Sequence, residues 1–361
     1  MWLTQFSVAF IFLVCTIGHG ERNKKLLNVF SIVNFPNAGC NSTISNTYGV
    51  CYTAAECISL GGGSSGTCAG GYGICCTFSG SCSGSTSLNN TYLKSSSSDS
   101  SPCIFKVCKS DSDICQIRLG FNTFATNSPN TETGTDTKPY GTGQCQDAQF
   151  TATSNGPSVP IICGTNTGYH MILEAEDDCN TLSFTWRSAT TRSWDIHIMQ
   201  IPCTATWKPP DGCLQYFTGT TGNIYTYNYA GGLHLASQDY RNCIRTEQGY
   251  CSISYAPVSD AFGMSGPAPA SISVVGDPCS LDYIVIPAGG ATAGSTTNYD
   301  RFCGTLLSVT NAGNAGITIF SNRQPFQVGV VTDGSELNDP PSPSTSESSK
   351  GFNLYYSQST C

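Results

Sequence analysis

The cysteines constrain this chain more than any other feature. The 361 residues include 21 of them. One, Cys15, ends the apolar run FSVAFIFLVC (6–15), which the small-residue stretch TIGHG follows. This reads as a signal peptide, residues 1–20, cleaved after Gly20, with glycines at both positions that signal peptidase reads. The segment before the run lacks Lys and Arg, a departure from the usual pattern. A run of about ten apolar residues is too short for a bilayer, which takes roughly 20. No later segment is apolar enough to span, and the terminal QSTC follows no hydrophobic tail, so neither a membrane span nor a GPI anchor is expected. Without Cys15 the cysteine count is even, which in a secreted, extracellular chain predicts up to ten disulfides. Zinc is the competing use. It wants close ligand pairs, but the chain has no CxxC, and His170, His197 and His234 are far apart.

Only 11% of residues are charged, well under the usual proportion of about 25%. The polar surface must therefore be Ser, Thr, Asn and Gly. The net charge of −8 is spread out with no basic stripe, which argues against nucleic acid and anionic membranes as partners. Two sequons, at Asn41 and Asn89, mark glycosylation sites. Roughly 340 mature residues exceed one compact core and suggest two or three domains.

Organisation changes along the chain. After ERNKK and LLNVFSIVNF, an N-terminal extension over 21–37, six cysteines crowd into 37 residues: Cys40, Cys51, Cys57, Cys68, Cys75 and Cys76. Such a segment, residues 38–78, replaces a core with crosslinks. Spacing alone does not decide among the 15 or so pairings that six cysteines allow. From Cys82 onward, period-two alternation takes over: IRLGF, LSFTW, WDIHIMQI, DYIVI, GITIF, FQVGVV and GFNLYYS. Turn clusters separate these runs and no helical stripe persists. The pattern predicts an all-β chain of sandwich type. It also repeats. SPCIFKVCKSDSDICQIRLGF parallels RNCIRTEQGYCSISYAP, and CQDAQF with PIICGT parallels CSLDYIVI with DRFCGT. Two copies, 79–204 and 205–361, are expected, with ATWKPPDGC as the linker.

Two families resemble these segments. The six-cysteine segment, with its approach GTCAGGYGICC, resembles the clip module of arthropod extracellular serine proteases. That resemblance implies Cys40–Cys75, Cys51–Cys68 and Cys57–Cys76. CSLDYIVIPAG, FCGTLLSVTNAGNAGITIF and GFNLYYS, with CIFKV, IRLGFNTF, CQDAQF and ICG in the first copy, resemble the CUB domain. The fold implied is two CUB-like β-sandwich (jelly-roll) domains preceded by a small disulfide-rich module. The implied pairs are Cys82–Cys103, Cys145–Cys163, Cys213–Cys243 and Cys279–Cys303. With those assigned, Cys251 remains for Cys361, Cys115 goes with Cys203 by analogy, and Cys108 and Cys179 remain for each other. The sequence leaves these last three open. The whole arrangement resembles a set of arthropod secreted proteins.

Candidate sites are few. GGGSSG (61–66) satisfies both G-x-G-x-x-G and a nested G-x-S-x-G, but sits inside the disulfide module without a βαβ unit or elbow. It is read as a flexible loop, with Ser64 no nucleophile. No GDSGG-type serine loop and no AAHC-type histidine follow the clip-like segment. His197, out of phase with Trp194, Ile196 and Ile198, is expected on a solvated strand face. His170 is expected in a loop, while His234 suits either face. Many CUB domains hold Ca²⁺, which needs several oxygen ligands. Asp282 occupies the C-x-x-D position, and Asn311 or Asn314 offers an amide, but the expected Glu is missing and only Asp277 precedes Cys279. In the first copy Asp147 stands one position early. Asp282 is therefore read first as bonding its own turn, with no cofactor required. Tyr216, Tyr225, Tyr227 and Tyr229 form either a contact surface or one buried strand face. DPPSPSTSESSK is expected to be a disordered loop. The resemblance implies a non-enzymatic adaptor or recognition protein whose partner is an extracellular protein or glycoprotein. The alternative is a non-catalytic regulator of an extracellular serine-protease cascade.

Overall fold

Among the described residues strand makes up 49% and helix 4%, so the architecture follows from which strand faces find cover. The computed structural model describes residues 33–42, 44, 47–131, 142–187, 192–264, 273–310, 316–334 and 349–361. The signal peptide, most of the N-terminal extension, Asn311, Asn314 and nearly all of the Pro/Ser-rich segment lie outside the described residues. Asn37–Cys361 form one compact unit.

The cysteine-dense segment comprises β1 (Gly39–Asn41), β2 (Tyr48–Tyr52), α1 (Ala54–Ser59), β3 (Gly63–Cys68) and β4 (Gly73–Gly80). Among the described residues its buried apolar cluster is small: Cys57, Cys76 and Phe78. Three disulfides supply the rest: Cys40–Cys75, Cys51–Cys68 and Cys57–Cys76. The short helix starts because Thr53 and Glu56 cap reciprocally, the Thr hydroxyl accepting from the Glu56 N–H and the Glu carboxylate accepting from the Thr53 N–H. The glycine-rich string is not a loop throughout. From Gly63 it runs as β3 against β4. A Cβ at Gly62 would lie 2.2 Å from the Cys76 sulfur, so this glycine lets the chain pass close to a disulfide. A helix before and a strand after is the reverse of a nucleophile elbow, and Ser64 is exposed, opposite Cys76.

Next come β5 (Ser85–Thr86), β6 (Thr91–Lys94), β7 (Cys103–Cys108), β8 (Ile114–Ala125), β9 (Ala148–Ala152), β10 (His170–Glu174), β11 (Cys179–Trp186) and β12 (Ser193–Pro202). They form a sandwich of β6-β12-β8-β10 on β5-β7-β11-β9. The in-phase residues meet between the sheets: Phe121, Phe124, Phe150 and Phe184 pack with Trp194, which stacks on Phe184 at 4.0 Å. The first sheet does not end at β6. Through parallel pairing of β4 with β6 it continues into β2 and β1.

The second sandwich is built from β13 (Gln215–Phe217), β14 (Thr221–Tyr225), β15 (Asp239–Ile244), β16 (Tyr250–Gly263), β17 (Val274–Val275), β18 (Tyr283–Gly289), β19 (Tyr299–Cys303), β20 (Ile319–Ser321), β21 (Phe326–Val331) and β22 (Gly351–Thr360). Its sheets are β14-β22-β16-β20 and β13-β15-β21-β18-β19-β17. Eight of these strands repeat the connectivity of the first sandwich, including a short parallel strand, β5 on β7 and β13 on β15, while β19 and β17 extend one edge.

Seven further disulfides serve the sandwiches. Cys82–Cys103, Cys145–Cys163 and Cys115–Cys203 have counterparts in Cys213–Cys243, Cys279–Cys303 and Cys251–Cys361. Cys108–Cys179 joins register partners of β7 and β11 and has no counterpart in the second copy.

The two sandwiches touch through β10 and β13, where the Ile172 N–H donates to the Leu214 carbonyl at 2.7 Å. The Pro-rich linker is packed as well, the Pro209 carbonyl accepting from Gln116 Nε2 at 3.2 Å.

Candidate functional site

Alternation fixes which residues of the first sandwich face its core and which face away. Ile117, Leu119 and Phe121 of β8 point inward with Ile196 and Ile198 of β12. Arg118, Gly120, His197 and Met199 therefore lie on the outer face, where register aligns Tyr92, His197, Gly120 and His170 in one row across four strands. The phase predicted for His197 is right but its solvation is not, since it is only 8% exposed. The continued sheet brings Tyr48 over it. The imidazole is stacked between Tyr48 and Tyr92, with centroids at 5.8 and 4.7 Å, and its Nε2 bonds Asn90 Oδ1 at 2.8 Å. The Tyr92 hydroxyl accepts from the Tyr48 N–H at 2.7 Å and donates to the Tyr48 carbonyl.

His170 likewise leaves its predicted loop. It opens β10, is buried, and its Nε2 accepts from the Tyr216 N–H at 2.8 Å. Its ring edge meets Phe217 and its carbonyl accepts from Tyr227 Oη. His234 is buried in the second sandwich. Burial, followed by the charge of Arg118, pulls the His170 pKa down to about 3 and that of His197 to about 4. For His234 burial alone depresses it, to about 4.

Arg118 lies midway along the outer face, half-buried, with Ile172 and Met199 as its cross-strand neighbours. Gly120 makes room for it, since a Cβ there would stand 2.8 Å from Arg118 Nη1. Burial lowers the guanidinium's pKa. On the same sheet, Lys94 of β6 is paired with Asp195 at 3.7 Å. Sequence reasoning passed over Arg118, although it was a lone charge at the out-of-phase position of IRLGF.

The acidic candidate is placed differently from its expected turn. Asp282 is 1% exposed, and its Oδ1 accepts from the Asp333 N–H at 2.8 Å, a partner across the sheet at the end of β21. Asp333 was not foreseen; its position, straight after the alternating strand FQVGVV, was the available signal. Asp277 and Asp147 are exposed. A calcium ion takes six to eight or so oxygens. Among the described residues this locus brings together Asp282 and Asp333, with one Asp282 oxygen already held by an amide. The other candidate ligands, Asn311 and Asn314, lie outside the described residues.

The tyrosines divide. Tyr227 is buried and bonds across to the first sandwich. Tyr225 stacks on Tyr169 of the first sandwich at 5.3 Å, and Tyr229 packs on Tyr225. They form an internal joint, with Tyr216 half-buried beside His170. Of the two sequon residues, Asn41 is exposed. Asn89 is half-buried, its Oδ1 accepting from the N–H groups of Asn90 and Gln200, both at 2.9 Å.

Comparison with known proteins agrees with the second sandwich. Residues 210–359 match the animal CUB domain, so a CUB domain is recognised in this chain. No curated protein matches the sequence. Among solved structures, the CUB1-EGF-CUB2 domain of human MASP-1/3 is similar at 14% identity, over 74% of this chain and 98% of that chain, with a TM-score of 0.25. Among the described residues no helix is long and apolar enough to cross a membrane.

Proposed function

We propose that this is a secreted, non-enzymatic adaptor that binds extracellular proteins through its CUB-like sandwiches, 79–204 and 205–361, with the clip-like segment 38–78 as a further contact. The match of residues 210–359 to the animal CUB domain carries this reading, by analogy of fold to interaction modules. The histidines support it. His170 and His197 spend ring nitrogens on fixed partners inside packed faces, which leaves them poor candidates for proton transfer. Glycans at Asn41 and Asn89 and oxidative folding in the secretory pathway belong to the same reading.

The test is capture from extracellular fluid by the mature protein, with cross-linking to map contacts. Proteins cross-linked to loops of the sandwiches support the adaptor. Failure to retain any protein above a reduced, unfolded control sinks it. The cysteine framework ending in Cys75 and Cys76 favours a second reading, a non-catalytic regulator of a serine-protease cascade. A protease or zymogen cross-linked beside the exposed Ile58 and Tyr72 would select it. Calcium is not required in this reading. EDTA is expected to leave capture and melting temperature unchanged, and a fall of more than about 3 °C, beyond what a change of roughly 1 kcal/mol gives at this size, would restore a metal site.

A further inference from the structure

A half-buried arginine normally ends on a carboxylate, because a desolvated charge without a partner is costly. Arg118 does not. Among the described residues its guanidinium takes part in no hydrogen bond, ion pair or ring contact, even though Gly120 is shaped to admit it. Its surroundings are polarisable and neutral: His170 and His197 on the row above, Tyr48 at the rim with 57% exposure, and Met199 and Ile172 alongside. The guanidinium thus lies beside Gly120 on the outer face of the first sandwich with its bonding capacity unspent.

We propose that Arg118, at this place on the outer face, receives a single carboxylate, the side chain of an aspartate or glutamate on a protein partner. A guanidinium matches a carboxylate with two parallel bonds, and arginine with tyrosine at its rim is the composition of an energetic centre of an interface. A polyanion such as a sulfated glycan fits less well. The cation Lys94 of β6 is already paired, and the chain carries a net −8. The inference rests on the adaptor reading only in taking the partner to be a protein.

The experiment follows the Arg118 Nε–H resonance in the full mature protein during titration with the blocked tripeptides Gly-Glu-Gly and Gly-Gln-Gly, and with inorganic sulfate at matched ionic strength. A saturable shift is expected with the Glu peptide, at least about tenfold tighter than with Gln, the difference a charge-assisted pair gives. In Arg118→Met, the saturable shifts of neighbouring Tyr48 and His197 resonances should disappear. Equal response to both peptides, no response to either, or tighter binding of sulfate overturns the proposal. Arg118→Met keeps the apolar stem and should melt at a higher temperature than the parent. Melting at a lower one would show that Arg118 serves the fold itself, and overturns it too. If Arg118→Met retains every captured protein partner, the carboxylate site is refuted while the adaptor reading stands.

Discussion

Lowering the pH from 7.5 to 5 is expected to reduce the melting temperature by about 9 °C for a unit of this size. His170, His197 and His234 are neutral in the folded protein, with pKa values pushed to about 3, 4 and 4. Unfolded, each returns to about 6.5. The unfolded chain therefore binds more protons between those limits. Stability is intact above pH 6.5, declines as the pH falls below it, and levels off only near the folded values. At pH 5 each histidine costs on the order of 2 kcal/mol. The window is theirs: Glu56 and Glu247, whose pKa values are lowered by hydrogen bonds from Thr53 and Arg245, remain ionised throughout it. His197→Phe, which keeps the stack on Tyr48 and Tyr92, should remove about a third of the pH dependence. Calorimetry across this range checks both, and a flat profile from 7.5 to 5 refutes them.

Asn228→Ala is expected to cost about 3 kcal/mol and to loosen the joint between the sandwiches. Asn228 is fully buried at φ 60°, a conformation that Asn tolerates and Ala resists. Its Oδ1 accepts from the Thr165 N–H of the first sandwich at 2.9 Å, and its Nδ2 donates to the Leu233 carbonyl of the second at 2.7 Å. Its own N–H reaches Asn166 Oδ1 at 2.7 Å. Gly164 and Gly231 make the space, since a Cβ at either would stand about 2 Å from Asn228 Oδ1. Truncation strands two part-buried backbone groups and strains residue 228 itself. Asn228→Gly relieves the strain alone and should recover about 1 kcal/mol. Urea melts give the magnitudes, and calorimetry of Asn228→Ala should resolve two transitions where the parent has one. A single unshifted transition would show that the joint is held elsewhere.

The strands were legible because each sandwich has one core, and alternation reports which side faces it. Trp194, Ile196 and Ile198, or Phe326, Val328 and Val330, could be assigned inward from the sequence alone. What alternation cannot report is whether the opposite side meets water. His197 was assigned to the outer face and that is where it lies, yet Tyr48, over a hundred residues earlier in the chain, covers it. The tyrosines of β14 and the turn after it failed to read as a joint for the same reason, their partner Tyr169 being remote in sequence. Glycines misled in the opposite direction. Gly62 and Gly63 resemble flexible punctuation, but one is demanded by a disulfide and the other begins a strand. The cap of α1 was written locally in Thr53 and Glu56 and was open to reading. Linear spacing says little about which strand ends adjoin, so the positions shared by Cys115–Cys203 and Cys251–Cys361 are visible only through the repeat.

The parallel pairing of β4 with β6 bears on what can be inherited or engineered as a piece. A cut near residue 79 would pass through one hydrogen-bonded sheet, baring a strand edge and stripping Tyr48 from His197. An uncovered edge invites pairing with other chains. The smallest portion that can be transplanted without such a wound is the cysteine-dense segment together with the sandwich it extends. Genetic rearrangement that separated the two would be selected against for insolubility before any loss of binding was felt.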